Sequence, residues 1–229
     1  MGKKLFLFSI FLSVLVFTTA ETWRIASLDW EPYCGSHIEN HGILVEKLQD
    51  LLKNEDIKLK INFYPWDKSK KLAETKSYIG YFPAWPEEVK EGFISSPQIG
   101  VSYIGIMTYK NSKVEFKELR SLFKKYKIGL IKTYVYPESI SNIIEKYRQN
   151  VVYVRNEKIL SYMLSNKGID AAITDPEVMK YYSKKFGYSN IKVLKKKVIK
   201  RPLVISFQDT EKNRKRINLL RMLLRKESK

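Results

Sequence analysis

Apolar positions along the chain fall into two rhythms that alternate. Trp23 to Leu28 alternates large and small residues and predicts a first strand. A loop with Trp30, Pro32 and Gly35 follows and closes at Gly42, after which Leu44, Leu48, Leu51 and Leu52 recur at helical spacing and predict an amphipathic helix over 43–53. Leu59 to Tyr64 predicts the next strand, broken by Pro65, and Asp67 is placed to cap a short helix through Leu72. Tyr78 to Phe82 predicts a further short strand. Strands alternating with helices in this way point to an α/β sheet with crossover connections.

The order then repeats. Ile128 to Ile131 predicts a strand, and Pro137 stands at the first turn of a helix with Ile140, Ile143, Ile144 and Tyr147 on one face. Val151 to Val154 predicts another strand. Asn156 is placed to cap a helix carrying Ile159, Leu160, Met163 and Leu164, with Gly168 as its stop. Ala171 to Thr174 reads as a strand, and Asp175-Pro176 opens a helix that Gly187 ends. Two apolar stretches, Tyr103 to Tyr109 and Pro202 to Phe207, flank this second unit and are read as isolated strands that cross into it and return. From Thr210 the chain reads as a helix with Ile217, Leu220 and Leu224 on one stripe. No residue pattern shared by the two units amounts to a sequence repeat.

The ends and the composition add a compartment. Lys3 and Lys4 precede an apolar run from Leu5 to Phe17, and Thr18-Thr19-Ala20 supplies small residues for a signal peptidase, so cleavage after Ala20 is expected. The run falls short of the roughly 20 residues that span a bilayer. Losing Lys3 and Lys4 takes the formal net charge from +18 to +16. The lysines are scattered along the whole chain, as a solvated surface would have them, and nucleic acid is not expected as a partner. A single cysteine, Cys34, allows no intramolecular disulfide, so stability after export rests on the core.

Four segments in order resemble the extracytoplasmic solute-binding proteins of polar amino-acid ABC transporters (periplasmic solute-binding protein family 3), over essentially all of the mature chain. They are Asp29-Trp30-Glu31-Pro32-Tyr33, Phe63-Tyr64-Pro65-Trp66-Asp67-Lys68, Phe93-Ile94-Ser95-Ser96-Pro97, and Lys167-Gly168-Ile169-Asp170-Ala171-Ala172-Ile173-Thr174-Asp175. The resemblance implies a type II periplasmic-binding-protein fold, two α/β sandwich lobes joined by two hinge strands that close on ligand like a flytrap. The expected division is a signal peptide over 1–20, a discontinuous first lobe over 21–106 and 208–229, and a second lobe with the hinge strands over 107–207. The implied function is capture of a small polar, amino-acid-like solute by a periplasmic monomer for an ABC permease, without catalysis, cofactor or metal. A ligand sensor of the same fold is the alternative, and a periplasmic enzyme a more distant one.

A polar solute needs charged partners at its ends and flat apolar walls between them. Trp30 or Tyr33, with Trp66, would supply the walls, or else pack in the core. Lys68 stands where one branch of the family carries Arg and would hold an anion, or else is a solvated lysine. Tyr81 takes the place of a serine-rich strand end. Thr133, Tyr134 and Tyr136 precede a helix start whose N–H groups favour an anion. Asp175 is placed like the family carboxylate that receives a ligand ammonium, and Asp before Pro is also a preferred helix cap.

Two features depart from the pattern. The family's amino-acid binders carry an Arg before the Phe-Ser-x-Pro segment that forks onto the ligand carboxylate; here that position falls at Glu88 or a neighbour, and Lys90 cannot reproduce the fork. Cys34, His37, Glu39 and His41 lie close together, which raises a metal or a thiol nucleophile; within one short loop they read instead as a polar surface loop.

Overall fold

The computed structural model describes residues 20–227, with the side chains of Lys196 and Lys197 outside that description. The expected leader therefore lies outside the described residues except for Ala20.

The first lobe opens with strand β1 (Glu21–Ser27), helix α1 (Ile43–Leu52), strand β2 (Ile57–Phe63), helix α2 (Trp66–Leu72) and strand β3 (Gly80–Ala84). β2 and β3 both pair parallel with β1, as the crossover pattern requires. α1 begins one residue after Gly42, and a Cβ on that residue would lie 2.7 Å from the Tyr33 carbonyl oxygen at a φ of +95°, so only glycine joins loop to helix here. α2 begins at Trp66 with Pro65 before it, and its N-terminus carries no side-chain cap. Asp67, expected as that cap, sits instead in the first turn and pairs with Lys70 at 3.3 Å.

A short strand β4 (Phe93–Ser95) leads to β5 (Gly100–Tyr109), the first crossing into the second lobe. That lobe holds α3 (Leu119–Lys125), β6 (Ile128–Ile131), α4 (Glu138–Lys146), β7 (Val151–Val154), α5 (Glu157–Ser165), β8 (Ala171–Thr174) and α6 (Pro176–Lys185). β7 and β8 flank β6 in parallel, repeating the first lobe's arrangement. The α5 stop differs by one residue from expectation: Lys167 takes the left-handed conformation at φ +58°, and Gly168 donates its N–H to the Met163 carbonyl at 2.8 Å.

The return is made by β9 (Ile191–Gln208), which pairs antiparallel with β5 and then with β3 and β4. The apolar stretch from Pro202 is thus the end of an 18-residue strand rather than an isolated one. Its first half is lysine-rich because it is the edge of the second lobe's sheet, with β5 on one side only. Charged side chains on an edge discourage pairing with another chain. Ser96 ties the crossing together: its hydroxyl accepts the Ile205 N–H at 2.9 Å.

α7 (Glu211–Glu227) packs back on the first lobe, where Arg216 and Lys212 both pair with Glu21 at the start of β1. One continuous core runs from Trp23 and Ile25 through Ile104 and Ile106 of the crossing strand to Ile128 and Ile173.

Candidate functional site

Every parallel strand of both lobes ends facing the crevice between them, the place where open α/β sheets carry ligands. Within three residues of each of those ends stands an aromatic or acidic side chain. Trp30 follows β1, Trp66 follows β2 and Trp85 follows β3; Tyr134 follows β6, Glu157 follows β7 and Asp175 follows β8.

Trp30 and Tyr33 are held in a tight turn by the Trp30 N–H to Cys34 carbonyl bond at 2.8 Å, and their rings stack at 4.6 Å. This loop reaches across to the second lobe at each of three residues. Trp30 Nε1 donates to Glu157 Oε1 at 3.1 Å, and the Tyr33 hydroxyl donates to Asp175 Oδ2 at 3.0 Å. Between them, Glu31 accepts from the Tyr182 hydroxyl and lies 3.8 Å from Lys185 Nζ. The Trp85 ring meets Tyr134 edge-on at 5.2 Å. The crevice is therefore closed by side chains of the protein itself.

A cavity of about 20 Å3, room for one water-sized group, remains between the rings. Its walls are Trp30, Trp66, Trp85 and Tyr134, completed by the apolar Leu28, Pro83 and Leu203. Glu88 is the one carboxylate in the wall, and no lysine or arginine belongs to it among the described residues. Glu88 takes Trp66 Nε1–H at 2.8 Å and the Trp85 backbone N–H at 3.1 Å. Trp85 is anchored on the first crossing strand through Nε1–H to Ser102 Oγ at 2.9 Å. Arg201 of the second crossing strand stacks on its ring and pairs with Glu87.

Glu88, Glu157 and Asp175 are buried at this closure, and burial holds each above the ordinary carboxylate range. For Glu88 the Trp66 and Trp85 donors oppose that shift, and for Glu157 the Tyr134 and Trp30 donors do. Asp175 is raised by burial against the N–H groups of Tyr103, Val178 and Glu177 and the Tyr33 hydroxyl.

The residues singled out from sequence separate into groups. Trp30, Trp66 and Tyr134 share the cavity wall. Tyr33 lies behind Trp30 and bridges the lobes. Asp175 caps α6, with Oδ1 accepting the Glu177 and Val178 N–H groups, while Oδ2 accepts Tyr33 and the Tyr103 N–H. Tyr81 is fully buried against Trp66 and gives its hydroxyl to the Glu88 carbonyl, so it supports the wall from behind. Tyr136 is a core residue, its hydroxyl between the Ile131 N–H and the Ile173 carbonyl. Thr133 is half-buried beside Tyr134 and outside the wall, and Lys68 is exposed, its ammonium 4.9 Å from the Tyr64 ring. Trp85 and Glu157 are cleft residues beyond the sequence expectations, their signal being a place soon after β3 and β7, and Glu88 stands at or near the position where the family carries its Arg.

Around Cys34, the thiol is fully buried, donates to the Leu28 carbonyl at 3.2 Å, and burial pushes it up to about 12. His41 lies 5.4 Å from the Phe63 ring. Among the described residues no group of three or more His, Cys, Asp and Glu is arranged to hold a metal ion.

No protein-family model and no curated protein sequence matches the chain. Solved structures do. A histidine kinase sensor domain with similarity to periplasmic binding proteins superposes with a TM-score of 0.78 at 13% identity, over 92% of this chain and 93% of that one. An ancestral arginine-binding protein bound to arginine gives 0.74 at 16%, over 92% and 94%. An arginine third transport system periplasmic binding protein from Legionella pneumophila gives 0.70 at 18%, over 91% and 94%. At these identities the likeness establishes the fold, the type II periplasmic-binding-protein arrangement of two lobes on two crossing strands.

Proposed function

We propose that this chain is an exported solute-binding protein that captures a small polar ligand between its lobes and presents it to an ABC permease. The observation that carries this reading is the ring-walled cavity at the junction, closed by Trp30 to Glu157 and Tyr33 to Asp175 across the lobes. Each bond joins a carboxylate to a neutral donor and contributes on the order of 1–3 kcal/mol. Bonds of that size hold a closed state weakly enough for a ligand to shift the balance through its own preference. The solved structures of similar fold include an arginine-binding protein and a transport-system binding protein, which supports solute capture.

Ligand sensing is the second reading, favoured by the similarity to a histidine kinase sensor domain. Native mass spectrometry of freshly purified protein tests capture: a bound small molecule that leaves on denaturation supports it. No adduct, together with no thermal shift across a broad solute panel, would overturn it. With the solute identified, deleting the gene separates the two readings, since transport predicts lost uptake and sensing predicts uptake intact with a lost transcriptional response.

A further inference from the structure

Resting on the capture reading, we propose that the cleft selects a small organic cation with no carboxylate beside its charged head, seated among Trp30, Trp66, Trp85 and Tyr134 and facing Glu88. Four aromatic rings meet at one cavity, and ring faces attract a desolvated cation through their quadrupoles. Among the described residues Glu88 is hydrogen-bonded by Trp66 and the Trp85 N–H, and Glu157 by Trp30 and Tyr134. All four donors are neutral. A buried carboxylate bound only by neutral donors is costly to ionise, and a cation in the cavity adds charge compensation for Glu88.

The charges around these two acids leave that role open. Lys70 of α2 lies 5.4 Å from the Trp66 ring and pairs with Asp67; the charge of Lys70 favours the ionised form of Glu88 and that of Asp67 opposes it, while burial still dominates. Arg201 lies on Trp85 and is taken by Glu87. Tyr81 of β3 faces Glu88, and Asp175, Tyr136 and Tyr182 face Glu157 from the second lobe; all are acids or neutral. A ligand carboxylate in the cage would meet Glu88 rather than a guanidinium fork, so like charge rejects an α-amino acid here. The cavity has room for one water-sized group, so seating an organic cation requires the Trp30 and Tyr33 latches to part.

The test is calorimetry and tryptophan fluorescence on the mature protein with tetramethylammonium, agmatine, arginine and glutamine. Agmatine and arginine share a guanidinium and differ by the carboxylate. Tetramethylammonium or agmatine should bind at least about tenfold more tightly than arginine. Glu88→Gln should weaken that cation by about tenfold, and Trp85→Ala should do the same. Lowering the pH from about 7.5 to about 5 should weaken the cation in wild type more than in Glu88→Gln, because protons compete for the carboxylate.

Tighter binding of arginine or glutamine, no change in Glu88→Gln, or no cation binding below about 10 mM would each overturn the proposal. A neutral or anionic solute that binds and is lost in Trp85→Ala would overturn the cation while leaving capture standing. Failure of every solute, including any that co-purifies, would overturn both.

Discussion

Glu88 stands where burial and hydrogen bonding pull against each other, and burial dominates. Its folded form binds a proton more readily than its unfolded form, so this side chain stabilises least where it must be charged. Stability from it is present below the ordinary carboxylate pKa and is lost as pH rises through the raised folded value. Glu88→Gln cannot titrate and keeps the shape. Its melting temperature should therefore gain on wild type as pH rises from about 4.5 to about 7, measured by calorimetry without ligand. A constant difference across that range would mean that the carboxyl is not desolvated. Cys34 gives a second check at this scale. A thiol at full burial and pushed up to about 12 is a poor nucleophile, so it should resist a thiol reagent in the folded protein and react once denaturant opens the core.

Helix starts set the geometry of the second lobe. Asn156 caps α5 by accepting the Ile159 N–H at 3.1 Å, which fixes where Glu157 begins the helix. Asn156→Ala should cost about 1 kcal/mol in denaturant unfolding. Asp175 does more, since one oxygen caps α6 and the other binds Tyr33 of the first lobe and the Tyr103 N–H on β5. Asp175→Ala removes the cap and leaves a buried N–H unpaired, a loss of about 2–4 kcal/mol. Asp175→Asn keeps one oxygen for the cap and should lose less than half of that. Equal losses in the two variants would show that the charge, not the capping, is what α6 needs. On β9 the same physical logic runs in reverse, with lysines placed to keep an edge unpaired.

The whole molecule is two α/β units whose relation is set by two crossing strands and a few bonds from one loop. Trp30, Glu31 and Tyr33 all reach from the first lobe to the second. Removing two of those bonds, in the double variant Trp30→Phe with Tyr33→Phe, should open the unliganded protein and raise its radius of gyration in X-ray scattering. The unfolding free energy should fall by no more than about 2–4 kcal/mol. An unchanged radius would mean that β5 and β9 alone fix the closure. Export belongs to this scale as well: N-terminal sequencing of the periplasmic form should begin at Glu21, and an intact Met1 in the membrane fraction would contradict it.

Local physics made much of this fold legible. Hydrophobic period separates β6, β7 and β8 from the helices between them, and Asn156, Asp175-Pro176 and Gly187 mark helix ends because caps and left-handed stops depend on neighbours in sequence. Those signals bounded the elements and the two-unit order, and the strand ends pointed to Trp30, Trp66, Tyr134 and Asp175. The lysine-rich start of β9 did not read as a strand, since an edge strand is specified by its partner β5 rather than by its own apolar pattern. The site was decided only by tertiary packing. Tyr136 and Tyr81 lie two positions from the cavity residues Tyr134 and Pro83 yet turn into the core, while Glu157, from a separate strand end, meets Trp30 across the lobes. Which side chains share a cavity depends on the angle between two sheets, and that angle is stored in contacts between residues more than a hundred positions apart, such as Trp30 with Glu157.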